Sequence, residues 1–192
     1  MQDNICGRCG KPSYGMTVLS HGNNEQETIC TDCYNKEMAE YYGIEDFKDF
    51  IKTYTAVDFD GVSHVFDINK RIMGTGVFWE AVELNDGNYN GYQFEVQTDM
   101  DGDQHEAVQR LFNKIHKGLS KKSIETKSFE GQKVRSLVSD EIEGRIEWDS
   151  EDGIAFIIDG KKCTLQEFEK ILSSREGFNF KIKIYDPTED ME

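Results

Sequence analysis

The chain is 192 residues long and carries 37 acidic against 22 basic side chains, a formal charge of −15. That balance excludes a generally basic nucleic-acid binder. Hydrophobic residues at 37% and 17 glycines supply enough apolar material for a packed core, and the length fits one domain, or one domain with a small appendage.

From Met1 to Cys6 there is neither a basic leader nor an apolar run, so no secretory signal is expected. No window approaches the roughly 18 uninterrupted apolar residues of a membrane span. The expectation is a soluble protein of the reducing cytoplasm. The five cysteines agree, because four of them fall in two CxxC pairs instead of being spread as a disulfide framework.

The pairs are Cys6/Cys9 and Cys30/Cys33, with twenty residues between them. Two intervening residues make a tight turn that aims both thiolates at one point, and two such knuckles complete the tetrahedral sulfur set that Zn²⁺ prefers. Gly7 and Gly10 suit the knuckle because their backbones tolerate positive φ. Between the pairs, Met16, Val18 and the polar run to Thr28 predict a hairpin with His21-Gly22-Asn23-Asn24 as its turn. Tyr34 to Tyr42 predicts a helix stopped by Gly43. Knuckle, hairpin, knuckle and helix amount to a treble-clef zinc module over residues 1–43. Four thiolates leave no coordination position open, so the zinc is expected to be structural.

Ile5-Cys6-Gly7-Arg8-Cys9-Gly10-Lys11, Leu19, and Ile29-Cys30-Thr31-Asp32-Cys33 with the helix behind them resemble the zinc-binding domain of ClpX-type unfoldases, whose spacing is shared by many zinc ribbons. The resemblance covers about the first 43 residues. It implies a treble clef that dimerises and docks adaptors or substrates. No GxxxxGK[ST] occurs downstream, so the phosphate cradle of the unfoldase is missing. Two catalytic zinc-knuckle patterns also fail. A nucleobase deaminase needs HxE and PCxxC, but Asn23 stands two after His21 and Ile29 precedes Cys30. Cys30-Thr31-Asp32-Cys33-Tyr34-Asn35-Lys36 is similar to the zinc-stapled end of HNH nucleases, except that Tyr34 stands where that family has a histidine ligand.

Ile44, Phe47, Phe50 and Ile51 predict a short helix within residues 44–60, a joint between the zinc module and the rest of the chain. From Val62 the period changes to two: Phe66, Ile68, Lys70 and Ile72, a break at Gly74-Thr75-Gly76, Val77 to Leu84, a turn at Asn85-Asp86-Gly87-Asn88, then Tyr92, Phe94 and Val96. An antiparallel meander is expected. Asp99 to Glu106 departs from a calcium loop, with Gln104 at the glycine position and Arg110 at the last glutamate. Asp103 and Glu106 instead suit the start of a helix. That helix, Gln104 to Leu119, has Val108, Leu111, Phe112, Ile115 and Leu119 on one face. Arg110, Lys114, Lys117 and Lys121 lie opposite, with Lys122 next to the last of them. They are candidate residues for an acidic partner or phosphate backbone, or else a solvated face offset by carboxylates.

Ser120 to Gln132 reads as a loop. Arg145 to Trp148 and Ile154 to Ile158 read as strands around an Asp149 to Gly153 turn, and a second turn lies at Asp159-Gly160-Lys161-Lys162. Thr164 and Glu167 form a capping box opening a helix with Leu165, Phe168, Ile171 and Leu172. Phe178, Phe180, Ile182 and Ile184 alternate as a final strand. Cys163 reads as a small buried residue. The fold class is thus α+β: a zinc module at 1–43, a helical joint at 44–60, an α+β domain over 61–187, and an acidic, disordered tail at 188–192.

No Ser/His/Asp set, HExxH or GxGxxG occurs, and His21, His64, His105 and His116 show no metal spacing. No catalytic residue is assigned. The leading expectation is a zinc-binding, non-catalytic adaptor or regulatory subunit with a protein partner, no membrane, and a homodimer on the strength of the resemblance. The alternatives are a zinc-ribbon nucleic-acid-associated factor using the basic stripe, which the net charge opposes, and an enzyme whose site lies in the α+β domain.

Overall fold

In the computed structural model of the chain, the period-two segments pair as strands and the period-3.6 segments coil into helices. The structure describes residues 5–13, 15–20, 22, 25–45, 47, 51–85, 91–129, 131–150 and 153–191, with the side chains of 129 and 132 set aside. Strand β1 (Met16–Ser20) and β2 (Gln26–Cys30) form the expected antiparallel hairpin, with Met16 opposite Cys30. Three residues of the predicted turn, 21, 23 and 24, lie outside the described residues. Helix α1 (Thr31–Tyr42) ends on Gly43, whose φ of 66° is open to a residue without Cβ.

A four-stranded sheet comes next, in the order β3 (Thr53–Val57), β4 (Ser63–Met73), β5 (Gly76–Glu83), β6 (Gln93–Thr98). Strand β3 corrects the helical joint. Thr53-Tyr54-Thr55-Ala56-Val57 is a β-branched and aromatic run, and pairing Tyr54 with Phe66 buries more than a lone helical turn could. Phe50, one of the residues behind the helical reading, is outside the described residues, as is the predicted turn from Asp86 on. Gly76 (φ 141°) closes the β4–β5 turn against the Thr98 carbonyl, where a Cβ would overlap backbone.

Helix α2 (Gln104–Leu119) buries Val108, Leu111, Ile115 and Leu119, as its spacing predicts. Its Phe112 stacks on Tyr54 at 3.8 Å between centroids. Residues 120–132 are not a loop: β7 (Ile124–Phe129) and β8 (Gln132–Leu137) form an antiparallel hairpin turning at Gly131, φ 82°. At its open end Ile124 faces Leu137, and both pack on the cluster of Ile158, Cys163 and Ile171. Strands β9 (Arg145–Asp149), β10 (Gly153–Ile158) and β11 (Lys161–Thr164) form a sheet in the order β11-β10-β9, and α3 (Leu165–Leu172) succeeds it. Residues 151 and 152 of the predicted turn lie outside the described residues.

The capping box is present in full. Thr164 accepts from the Glu167 amide at 3.2 Å, and Glu167 accepts from the Thr164 amide at 3.0 Å. Thr164→Ala is expected to cost about 1 kcal/mol, read as a lower urea midpoint at unchanged slope. The final strand is corrected. Residues 178–186 form no strand and pair with none among the described residues. The tail beyond them is held by α2: Lys114 Nζ donates to the carbonyls of Pro187 and Glu189, and Lys117 Nζ to that of Met191.

The chain divides into two compact units. One comprises Met1–Phe50, Lys70–Phe78 and Gln97–Asp103, and the other Ile51–Asn69, Trp79–Val96 and Gln104–Glu192. No helix among the described residues is long and apolar enough to cross a membrane.

Candidate metal centre

Each of the four cysteines comes from a local feature that fixes its direction. Cys6 opens a turn closed by the Gly10 amide on its carbonyl at 2.9 Å, and its own amide donates to Lys11 at 2.9 Å. The Gly7 amide donates to Thr28 of β2 at 2.9 Å, which lays this knuckle on the hairpin. Cys30 ends β2 and stands at the N-cap of α1, and Cys33 lies in the first helical turn. Arg8 reaches from the first knuckle to Glu27 at 2.7 Å and to Glu37 at 2.5 Å.

The four Sγ atoms lie within 4.8 Å of one another. Cys9 and Cys30 are 3.8 Å apart, the edge of a tetrahedron whose metal–sulfur bonds are about 2.3 Å. All four are free thiols. Cys6 accepts hydrogen bonds from the Cys9 amide at 3.5 Å and the Cys30 amide at 3.2 Å. The Cys9 amide, against the pull of burial and with help from the Cys30 amide, brings the Cys6 thiol down to about 6. Burial first, and the neighbouring sulfurs second, push Cys33 up to about 12, and burial likewise raises Cys30. One sulfur is therefore prepared as a thiolate while its neighbours resist a second and third negative charge. A cation between them removes that conflict, and the donor set fits one such as zinc.

Ile29, fully buried, packs with Cys6 and Cys30, and Met16, Leu19 and Tyr34 close over them. Tyr34 thus fills with packing the position where a nuclease would carry a histidine ligand. Arg71 lies over its ring at 5.3 Å.

The basic stripe of α2 leans on its own chain. Lys114 Nζ also donates to the Glu95 carbonyl at 3.0 Å, Lys121 pairs with Glu143, and Lys122 meets Asp60 at 2.5 Å. Arg110 has partners of its own as well. Cys163 is buried among Ile158, Ile171 and their neighbours, and burial raises its thiol.

A further cluster was not legible in the sequence. His64 of β4 stands between two carboxylates, with Nδ1 2.6 Å from Glu83 and Nε2 3.1 Å from Asp58. Glu83 is buried and also accepts from the Tyr92 amide at 2.8 Å. Asp58 accepts from the Asp60 and Val62 amides, shaping the β3–β4 turn. Burial opposes the imidazolium, but Glu83 and Asp58 together outweigh it and raise the ring's pKa. Both ring nitrogens are engaged, so the histidine works as a clamp.

A histidine whose folded pKa is raised contributes stability that is complete below its unfolded value, near 6.5. That contribution is lost as pH rises through the folded value. His64→Gln is therefore expected to cost about 2 kcal/mol at pH 6 and distinctly less at pH 9, measured by urea unfolding at both. A loss equal at the two pH values would mean that the clamp holds no proton.

Comparison with known families divides the chain into three. Residues 5–45 are similar to the family described as Domain of unknown function (DUF7685), residues 48–120 to Domain of unknown function (DUF7686), and residues 123–189 to Domain of unknown function (DUF7713). No curated protein and no solved structure matches the chain.

Proposed function

We propose that the chain is a zinc-binding, non-catalytic adaptor or regulatory subunit whose N-terminal module docks a protein partner. The observation that carries this reading is the closed set of four thiols. A metal held by four cysteines has no position left for water or substrate, so its contribution is to hold a surface in shape. The exposed side chains of that surface are suited to protein contact: Ile5, Val18, Tyr41 and Tyr42 all stand out into solvent around the module. The likeness to the ClpX-type zinc-binding domain points the same way, toward docking. The nucleic-acid reading stands second, because Lys114, Lys117, Lys121 and Lys122 donate to groups of their own chain.

The test is affinity capture of the tagged full chain from its own cells, with and without nuclease, beside a Val18→Ser/Tyr41→Ser chain that still binds metal. A partner retained after nuclease and lost from the double variant is expected. Partners that vanish with nucleic acid, or that ignore the double substitution, would overturn the docking role of this surface.

A further inference from the structure

Residues 178–184 run Phe-Asn-Phe-Lys-Ile-Lys-Ile, a strict alternation that in water should not remain single. Yet Phe178, Phe180, Ile182 and Ile184 are 67%, 86%, 74% and 74% exposed. The same unit offers a second unfinished surface. Strand β9 is the outer edge of its sheet, so one side of its backbone has no strand beside it among the described residues. The register sets Trp148 opposite Ile154 and Ile146 opposite Phe156, which places these four on one face. Helix α3 covers the inner part, where Phe156 stacks on Phe168 at 4.5 Å. The outer part is bare, with Trp148 81%, Ile146 51% and Ile154 49% exposed.

We propose that residues 178–184 of one copy add to the β9 edge of a second copy, and reciprocally, making a two-fold dimer. Three observations select a second copy as the occupant. First, the segment is tied at both ends to its own chain. The Phe178 amide donates to Arg175 at 3.0 Å, and Lys114 holds the Pro187 and Glu189 carbonyls at 2.8 and 2.7 Å. A second copy can meet the segment with these bonds kept.

Second, the charges match. The segment carries Lys181 and Lys183 and no acid, while the sequence from 145 to 153 carries Glu147, Asp149, Glu151 and Asp152. That is an excess of acid over the two cations that pair there, Arg145 with Glu147 and Lys162 with Asp149. In a chain of charge −15, a lysine strand meeting an acidic edge turns general self-repulsion into a local attraction. Third, the area is sufficient. With about 150 Å² for each of three rings and about 100 Å² for each of four isoleucines, two reciprocal junctions cover up to about 1,700 Å², within the roughly 1,200–2,000 Å² of a stable interface. Because a two-fold contact is self-complementary, the same junction is made twice, once from each copy's strand. This interface lies in the C-terminal unit and does not depend on the metal or on the docking role of the N-terminal module.

The test is sedimentation velocity of the full chain up to about 100 µM, with Phe180→Asp and Trp148→Asp variants and their mixture. Both positions are solvent-exposed, so both variants should melt like the parent at dilutions where the parent is monomeric. The parent is expected to sediment at twice the 22.1 kDa chain mass. Each variant alone should dimerise at least about tenfold more weakly. Their equimolar mixture should recover part of the association, since one intact strand then meets one intact edge. A monomeric parent, a dimer indifferent to either substitution, or two weak variants whose mixture recovers nothing would each overturn the proposal.

Discussion

A Cys30→Ser chain is expected to retain no stoichiometric zinc and to lose the ordered structure of residues 5–45, while the C-terminal unit stays folded. Cys30 closes β2 and stands at the N-cap position of α1, and its sulfur lies 3.8 Å from that of Cys9. Among the described residues, the core it shares is Cys6, Ile29 and Cys30, with Met16, Leu19, Cys33 and Tyr34 around them. So small a core cannot offset the ordering of some forty residues, so metal binding must supply the difference, on the order of 10–16 kcal/mol for structural zinc sites. Metal analysis after gel filtration should fall from about one zinc per chain to none. Amide exchange should rise across β1, β2 and α1 and stay slow around Ile158 and Ile171. Cys163→Ser, in a separate apolar cluster, should keep its metal. Acid should release the ion as well: each ligand must give up a proton, so affinity falls with falling pH. Full zinc content in Cys30→Ser would overturn the assignment of the four-cysteine site.

How far each element was legible in the sequence depends on how local its signal is. The cysteine quartet was legible because each knuckle is set by two intervening residues and only the meeting of the two knuckles is long-range. Helices α2 and α3 were legible from their period and, for α3, from the Thr164/Glu167 pair. The β7–β8 hairpin was not, because the face that begins with Ile124 and Leu137 continues with Thr126 opposite Arg135 and Ser128 opposite Lys133, which give no apolar alternation. The His64 clamp was hidden for a different reason. Its partners come from the β3–β4 turn and from β5, and among 37 carboxylates nothing local singles out Asp58 and Glu83. The segment from Phe178 shows the limit of periodicity, which reports what a strand would bury but not which edge receives it.

Asn35 combines a local sequence signal with a long-range contact and carries the second large effect. In the sequence it is the asparagine of a nuclease-like run, two residues beyond Cys33. In the structure its side chain is buried and grips the end of β4, its Nδ2 donating to the Lys70 carbonyl at 2.7 Å and its Oδ1 accepting from the Ile72 amide at 3.1 Å. The amide is thus matched at both ends to a strand's backbone, doing for residues 70–72 what a neighbouring strand would do. Arg71 between them reinforces the junction, donating to Thr17 at 2.7 Å. Asn35→Leu fills the space but leaves a buried donor and a buried acceptor without partners, at about 1–3 kcal/mol each. The expected loss is about 2–4 kcal/mol, read by urea unfolding, with the Ile72 amide exchanging faster and the metal content unchanged. Asn35→Asp keeps the acceptor for Ile72 but turns a carboxylate toward the Lys70 carbonyl, so it should not rescue the loss. If both variants were as stable as the parent, the metal module would be held to β4 by packing alone. If both lost zinc, Asn35 would act on the metal site itself.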